Sequence, residues 1–394
     1  MKLLDYNSYE VNKKNLNKRK VIISIVIILL LLILVTLSIL YIKNDSARDY
    51  IDDYIFRKNV SSDNLPTIEF NSDDITAIYG YDNYIALLNK NSLTAYSSSG
   101  KKEFSIDLAI GTPIIASNGQ YLVIGEKNSQ KIYLVNGQNI LWQKDVEGQI
   151  TRLSVNKNGY VTVIVTGTTS KNMVITIDPT GKELFYTFFS NSTAIDSSIS
   201  NDNKYLAIAE INTSDNSLQS NIKIISMSAA VTDASNSVVY IYPANSGEII
   251  SHIKYQDKGK LVCMYDTSIH IIQDKNDTKI TDISSKNDLF ADIHLRDNFM
   301  RITEKNSGLF ANIELEITDI NSQKTNVYEI KSMPKSVISN YNTIAIFYGT
   351  EIDFVNTSGW LMKTYRSSQE IRDIVLGKNI VGIIYKDKLE ILGL

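Results

Sequence analysis

The side chains best suited to bind metal ions or transfer protons near neutral pH are few in this sequence. It holds three histidines, His252, His270 and His294, and one cysteine, Cys263. No two histidines stand two or four residues apart, the spacings that bring two imidazoles to one metal ion. We therefore predict no metal site and expect each histidine to lie in a strand, either facing solvent or partnered in the core. Cys263 stands in an apolar run, which predicts a small buried side chain.

Residues that could bind phosphate or calcium, or attack an acyl group, also lack the required spacing. The glycines are spaced as turns, and no serine stands in a Gly-x-Ser-x-Gly pattern, so Ser97–Gly100 indicates a hairpin turn. The acidic groups Asp52–Asp53, Asp73–Asp74, and Asp274 with Asp277 do not match the ligand spacing of a calcium loop. We predict no catalytic residue and no cofactor, and the sequence does not assign binding residues.

Charge is distributed unevenly along the 394 residues. The formal net charge is -3, yet residues 1–20 hold six basic against two acidic side chains, so the remainder carries -7. No basic surface of the size that nucleic acid requires follows from this distribution, and we predict no nucleic-acid partner.

Val21–Ile42 is a run of 22 residues without a charge. As a helix it would be about 33 Å long, enough to cross a hydrocarbon layer of about 30 Å. The run is longer than the apolar part of a cleaved signal peptide, and no small-residue cleavage site follows it, so we predict an uncleaved signal anchor that contacts the lipid bilayer. Thr36 and Ser38 can return their hydroxyls to the helix backbone.

The basic residues concentrate before this run, which by the positive-inside bias predicts a cytoplasmic N-terminus and an extracytoplasmic remainder in the cell membrane. We divide the chain into a basic tail (1–20), the anchor helix (21–42), a stalk (43–64) and a β-domain (65–394). Within the stalk, Tyr50, Ile51, Tyr54 and Ile55 recur at helical spacing. A short amphipathic helix there could be a docking element or a spacer.

The β-domain is built from repeats, best seen in Ile150–Phe189, where four β-rich runs are separated by Asn/Gly and Pro/Gly turns. The second run of each repeat aligns eight times, at spacings of 37 to 55 residues. Its second and fourth positions are apolar in all eight, as expected for sheets covered on both faces. These second runs begin at Tyr84, Tyr121, Tyr160, Tyr205, Lys260, Phe299, Thr343 and Ile380.

The last repeat ends after its third run, whereas Pro66–Phe70 precedes the first repeat without a partner. If the repeats form a ring, this first strand completes the last blade beside Leu389–Leu392 and removes the exposed edges. We therefore predict an all-β fold, an eight-bladed β-propeller after one transmembrane helix, with seven blades as the alternative if repeat four or six is irregular.

Two motifs, Asp178–Leu184, and Asn136–Gly137 leading to Leu141–Trp142, resemble the repeats of quinoprotein-like (PQQ-like) and WD40-like β-propellers. The resemblance extends from about residue 65 to residue 394. It departs from the quinoprotein pattern in that the hairpin tryptophan occurs only at Trp142 and, displaced, at Trp360. The whole layout is similar to uncharacterised single-pass membrane-anchored propeller proteins of low-GC Gram-positive bacteria, a resemblance that implies no particular activity.

Two features of the repeats bear on binding. Tyr84, Tyr121, Tyr160 and Tyr205 begin successive second strands, which predicts buried rings with hydroxyls that reach a turn, whereas Tyr79 and Tyr81 are candidates for a binding face. Repeat four is the longest, and its excess residues fall in two segments that we expect to be polar loops, residues 212–221 and 226–236. Such insertions can carry specificity or reflect neutral drift, and both readings stay open.

In the absence of a catalytic pattern we expect a non-catalytic binding or scaffold module for an envelope protein or cell-wall polysaccharide. One alternative is an enzyme, either quinoprotein-like or glycan-active; a second is a sensor of an extracellular ligand. A quinoprotein would need an Arg or Lys near its quinone, and the sequence does not connect Arg152, Arg301 and Arg372 to such a site.

Overall fold

The computed structural model describes residues 18–43, 51, 58–61, 65–167, 172–212, 218–283, 288–305 and 312–394. The chain divides into two compact units, Met1–Asn59 and Val60–Leu394. Apart from Ile51, the predicted stalk helix lies outside the described residues. The limits placed at residues 20, 42 and 64 remain predictions.

The first unit contains helix α1 (Lys18–Lys43). Its segment Ile22–Lys43 has a mean hydropathy of 3.4 and is long and apolar enough to cross a membrane, although a signal sequence would have the same character. Thr36 Oγ1 donates to the Leu32 carbonyl (2.7 Å) and Ser38 Oγ to the Leu34 carbonyl (2.8 Å). The hydroxyls therefore bond within the helix, as predicted, and need no water.

The second unit is an eight-bladed β-propeller, as predicted, in which each blade is an antiparallel sheet. The strands of blades one to six follow chain order from the centre outward, whereas blades seven and eight each take their outermost strand from the segment that precedes blade one. Blades one and two consist of β3 (Ile75–Tyr81), β4 (Tyr84–Asn89), β5 (Ser92–Tyr96), β6 (Lys102–Asp107), and β7 (Pro113–Asn118), β8 (Tyr121–Glu126), β9 (Lys131–Asn136), β10 (Asn139–Asp145). Blades three and four consist of β11 (Gln149–Val155), β12 (Val161–Thr166), β13 (Asn172–Ile177), β14 (Glu183–Phe189), and β15 (Ser192–Ile199), β16 (Tyr205–Asn212), β17 (Gln219–Ser226), β18 (Val238–Pro243).

The second half of the ring repeats the pattern. Blades five and six consist of β19 (Ile250–Tyr255), β20 (Leu261–Tyr265), β21 (Ser268–Gln273), β22 (Asn276–Asp282), and β23 (Asp288–Asp292), β24 (Asn298–Glu304), β25 (Ile313–Asp319), β26 (Thr325–Ile330). Blade seven consists of β27 (Ser336–Asn340), β28 (Thr343–Phe347), β29 (Glu351–Asn356) and β30 (Leu361–Arg366), with a short fifth strand, β1 (Asn59–Ser61), at its edge.

Blade eight joins the two ends of the propeller. It consists of β31 (Asp373–Leu376), β32 (Ile380–Ile384), β33 (Lys388–Gly393) and, as its outermost strand, β2 (Thr67–Glu69). Ile68 lies opposite Leu389 in an antiparallel register. The predicted closure of the ring by the first strand is confirmed.

The core lies between the blades. Eight apolar clusters are each shared by two neighbouring blades, and together they link every blade to the next around the ring. The second strands are buried almost throughout, because both faces of each sheet are covered. Where a blade turn approaches its neighbour, glycine is required: a Cβ on Gly159 (φ +84°) would stand 2.7 Å from the Tyr121 ring.

Two details differ from the sequence prediction. The segment 226–236 is not a loop: it forms helix α2 (Met227–Thr232) and a 3₁₀ turn (Ala234–Asn236). Of the predicted loop 212–221, the ends belong to strands, since β16 extends to Asn212 and β17 begins at Gln219, and residues 213–217 lie outside the described residues. Met227 and Ala230 of α2 pack against Phe185 and Phe189 of blade three, so apolar burial makes this segment helical.

Candidate functional site

The innermost strands of all eight blades surround a central channel with a cavity of about 760 Å³. This volume lies within the range of small-molecule sites, about 300 to 1,000 Å³. In seven blades the cavity is lined by the inner strand and the turn that follows it, and in blade six it is lined by Ile293, His294 and Arg296 of the connection after β23. We call the part lined by the strands and by His294 the interior, and the part lined by the turns the mouth.

Blades three to five supply the first group of charges in the interior. Arg152 Nε lies 2.8 Å from Asp196 Oδ1, and Arg152 Nη2 lies 2.9 Å from His252 Nδ1. Asp196 is buried and also accepts the backbone N–H groups of Ser197 (2.9 Å) and Ile253 (3.0 Å). The carboxylate is thus fixed, and it orients the guanidinium toward the channel.

Blade six supplies the second group. Asp292 Oδ1 accepts from His294 Nδ1 (2.5 Å) and from the His294 backbone N–H (2.6 Å), and Asp292 Oδ2 accepts from Ser339 Oγ (3.0 Å). Burial alone would raise the pKa of Asp292, but these hydrogen bonds and the adjacent imidazole hold that pKa below its ordinary value. Asp292 therefore stays ionised and fixes the His294 ring.

Lys254 completes this part of the channel. Its Nζ donates to the His294 carbonyl (2.7 Å) and forms no salt bridge with a described residue. Burial lowers the pKa of Lys254 to about 8, although Asp292 and Asp297 act in the opposite direction. We call Arg152, His252, Lys254 and His294 the basic cluster.

The packing of blade five against blade six brings together two histidines that are distant in sequence. The rings of His252 and His294 are 5.7 Å apart between centroids, at 66° to each other. Arginine can only donate, so the contact with Arg152 makes His252 Nδ1 an acceptor and places the hydrogen on Nε2. In His294 the bond to Asp292 places a hydrogen on Nδ1, which fixes the orientation of the ring. The cluster therefore offers several hydrogen-bond donors to a ligand.

The remaining half of the channel is different in character. From blades seven, eight, one and two, the charged residues that line the described cavity are Asp82 and Lys378, both in turns at the mouth. The interior on this side is formed mainly by apolar residues, among them Ile114, Ile338 and Leu376. The channel thus carries charged and imidazole side chains along one half of its wall and mainly apolar side chains along the other.

The other residues considered from the sequence lie apart from this cluster. His270 Nδ1 is 2.9 Å from Asp277 Oδ1 near the edge of blade five, and Arg301 is paired with Glu316 in blade six. Cys263 is buried, as predicted, and burial raises its pKa well above the ordinary value. Ser97–Gly100 forms the predicted turn, with Gly100 at φ +75°.

Three predictions about histidine and tyrosine were wrong. His294 lies in the connection after β23 rather than in a strand. Tyr205 is exposed, whereas Tyr81, a candidate for a binding face, is buried. It is the Tyr81 hydroxyl that reaches turns: it donates to the Gln120 carbonyl (2.6 Å) and accepts from the Gly137 N–H (2.7 Å). Tyr79 lines the channel, and its role in binding stays a prediction.

Lys254, Asp196 and Asp292 were not singled out from the sequence. One signal was present: His252 and Lys254 alternate within the first strand of a repeat, so both project from the same face of an innermost strand. The partners Asp196 and Asp292 come from other repeats, and their proximity depends on how neighbouring blades pack.

The outer edge of blade four is a second unusual surface. Two of the outermost strands that the structure describes have no charged residue: the three-residue β1 of blade seven and the six-residue β18, which is the longer. Val239 is 42% and Ile241 55% exposed, and Val231 of the neighbouring α2 is also exposed. Outer strands usually carry charges that oppose pairing with another chain, and β18 lacks that protection.

The ring of eight four-stranded sheets and its central channel define a β-propeller. Residues 55–394 match a family described as "Family of unknown function (DUF5711)", and the chain belongs to this family. The sequence matches none of the curated proteins with which it was compared.

Solved β-propellers superpose on the ring. BamB from Moraxella catarrhalis is 11% identical, with a TM-score of 0.50 over 83% of this chain and 98% of that one. The C-terminal WD40 domain of Sif2 is 13% identical, with a TM-score of 0.56 over 83% and 97% of the two chains. The tricorn protease is 13% identical, with a TM-score of 0.50 over 74% of this chain and 34% of its own. At these identities the similarity shows the fold alone.

Proposed function

We propose that this protein is a membrane-anchored β-propeller of the cell envelope that binds a second envelope protein without catalysing a reaction. The observation that carries the proposal is the uncharged, exposed outer strand β18 of blade four. An extended segment of a partner can add to such an edge through main-chain hydrogen bonds, while its side chains contact the exposed apolar residues. The WD40 and BamB folds that superpose on the ring are consistent with a binding module.

The insertion in repeat four is a second observation in favour of a binding surface at the outer edge of blade four. Its helix α2 packs on blade three through Met227 and Ala230, yet leaves Val231 exposed. The insertion is therefore an ordered part of the ring surface that contacts β14 and β17 and leads along the chain into β18. This favours a role in specificity over neutral lengthening of a loop.

The apolar helix α1 supports a location in the cell membrane. We propose that it remains as an anchor, with the basic tail in the cytoplasm and the propeller outside, as in the membrane-anchored propellers of low-GC Gram-positive bacteria that the sequence resembles. The concentration of basic residues before the helix supports this orientation.

The partner proposal is tested by photo-crosslinking in the membrane. A benzoyl-phenylalanine at position 241 of the full chain should give one discrete cross-linked protein in cells that make it at native level. Ile241→Lys should reduce capture of that protein by a tagged chain at least tenfold, because the added charge must be desolvated at the interface.

Val327→Lys is the matched control. Val327 is 51% exposed on β26, the outer strand of blade six, which carries Glu329. Capture should be unchanged in this variant. A cross-linked product that disappears on digestion of the cell wall would replace the protein partner with a polysaccharide, and equal capture by both lysine variants would refute the blade-four surface.

The non-catalytic part of the proposal has its own test. When the purified full chain is supplied with quinone and calcium, it should not reduce a redox dye with alcohols or sugars as substrates. It should also release no reducing ends from purified cell walls. Either activity would replace the binding function with one of the two enzyme alternatives.

A further inference from the structure

The channel contains a cation whose charge is not balanced by a direct counter-ion. Lys254 Nζ donates to a neutral carbonyl, that of His294, and forms no salt bridge with a described residue. The nearby carboxylate Asp292 is already bonded to His294 and Ser339. A partly buried ammonium in this position is stabilised by any anion that enters the cavity.

Further donors lie around the same cavity. Arg152 is anchored by Asp196 and His252, but its side chain remains 37% exposed to the channel. His252 keeps a hydrogen on Nε2 because its Nδ1 accepts from Arg152. Guanidinium, ammonium and imidazole groups together are the donors that bind carboxylates and phosphates in proteins.

We propose that the central channel binds a small organic anion, with its carboxylate or phosphate group at Arg152, His252 and Lys254 and its apolar body against Ile114, Ile338 and Leu376 on the opposite side. The two halves of the wall fit the two ends of such a ligand. The volume of about 760 Å³ accommodates a molecule larger than inorganic phosphate. This site does not depend on the outer edge of blade four, and each proposal can fail while the other stands.

Calorimetry on the full chain in nanodiscs of phosphatidylcholine tests the proposal, with hexyl phosphate and hexanoate as probes. At least one of them should bind saturably, one per chain. Inorganic phosphate should bind more weakly than hexyl phosphate, since it leaves the apolar half unfilled. Hexanol, which lacks the charge, should bind at least tenfold more weakly than the better probe.

Lys254→Met should weaken binding of the better probe at least tenfold, because it removes a charge-assisted hydrogen bond worth about 1.5 kcal/mol or more. Lys254→Arg should retain most of the affinity. Lys127→Met is the matched control, since Lys127 is exposed and outside the channel. Thermal unfolding of each variant shows whether the ring is intact, and an intact Lys254→Arg chain keeps the test valid if Lys254→Met does not fold.

The proposal is overturned if neither anion binds saturably, if Lys254→Met and Lys127→Met bind the probe equally, or if hexanol binds as tightly as the anions. Nanodiscs that contain phosphatidylglycerol distinguish the source of the anion. If the probe binds more weakly in these nanodiscs than in phosphatidylcholine alone, the anionic headgroup competes for the channel, and the site accepts a lipid. If the probe binds equally in both, the site accepts a soluble anion.

Discussion

Ile68 lies opposite Leu389, so the first strand of the propeller is also the outermost strand of its last blade. The flanking bonds, Phe70 N–H to the Asp387 carbonyl (3.0 Å) and Ile391 N–H to the Pro66 carbonyl (2.9 Å), fix the register on both sides. By the alternation of an antiparallel ladder, Ile68 and Leu389 form a hydrogen-bonded pair, whereas the N–H of Glu69 faces away from β33.

This register predicts a position-specific effect of proline. Ile68→Pro should destabilise the propeller by about 2 kcal/mol, because it removes a hydrogen bond of the closing strand and part of its apolar contact. Glu69→Pro, one residue later on the open edge, should cost much less. Urea unfolding of both variants provides the comparison, and equal losses would mean that β2 does not close the ring in this register.

Tyr81 joins blade one to two turns of blade two. Tyr81→Phe leaves the Gln120 carbonyl and the Gly137 N–H without their partner and should cost about 1–3 kcal/mol of unfolding free energy. Tyr84→Phe is the control, because the Tyr84 hydroxyl has no hydrogen bond to a described residue. An equal, small effect of both changes in urea unfolding would count against the inter-blade role of Tyr81.

Burial raises the pKa of Tyr81 to about 12, with Asp82 and Tyr84 also raising it and the Gly137 hydrogen bond opposing. A group whose pKa is raised on folding contributes stability that is present below its unfolded pKa, near 10, and is lost as the pH rises through the folded value. The difference in unfolding free energy between wild type and Tyr81→Phe should therefore shrink between pH 10 and pH 12. A constant difference across that range would exclude a buried, protonated hydroxyl.

The contribution of Lys254 to the free energy of unfolding should change with pH in the opposite direction. Its pKa falls on folding from about 10.5 to about 8, so between these values the unfolded chain binds more protons and stability rises with pH. The groups that face its ammonium are Asp292, Asp297 and His294, the last through its carbonyl. Relative to Lys254→Met, wild type should gain stability from pH 8 to pH 10.5, as measured by urea unfolding. A flat difference would show that the ammonium is fully solvated.

The single cysteine allows a direct test of topology. Cys263 is buried and its raised pKa keeps the thiol protonated, so in intact cells it should not react with a membrane-impermeant maleimide. Ser99→Cys, in an exposed turn of blade one, should be labelled in intact cells, and Asn12→Cys, in the basic tail, only after lysis. The reverse pattern would refute the proposed orientation.

The repeats and the ring could be predicted because residues close together in the sequence mark each strand and turn, and because the strands of each repeat can be counted. Alternating apolar residues define each second strand, Asn/Gly turns separate the strands, and the missing fourth strand after Leu392 matched the unpaired strand at Ile68. Helix α2 was missed because Ser, Thr and Asn in residues 226–236 suggested a loop, whereas Met227 and Ala230 find their apolar partners in another blade.

The basic cluster could not be predicted in the same way. His252 and His294 are separated by a whole repeat, and neither has a local sequence signal for the other. Their proximity follows from the packing of blades five and six around a common axis. The pairing of Arg152 with His252 likewise joins blade three to blade five, so it depends on how two successive blade interfaces curve the ring.

The closing strand also means that the propeller has no physical first blade. The segments around Thr67 and Glu390 lie in one sheet, so a short linker could join residue 394 to residue 65 and a new start could be opened at the exposed turn of residues 97–100. Such a circular permutant would keep all eight blade interfaces and move the closure by two chain ends from blade eight to blade one, between β5 and β6. The position of the chain ends is thus separable from the arrangement of the blades.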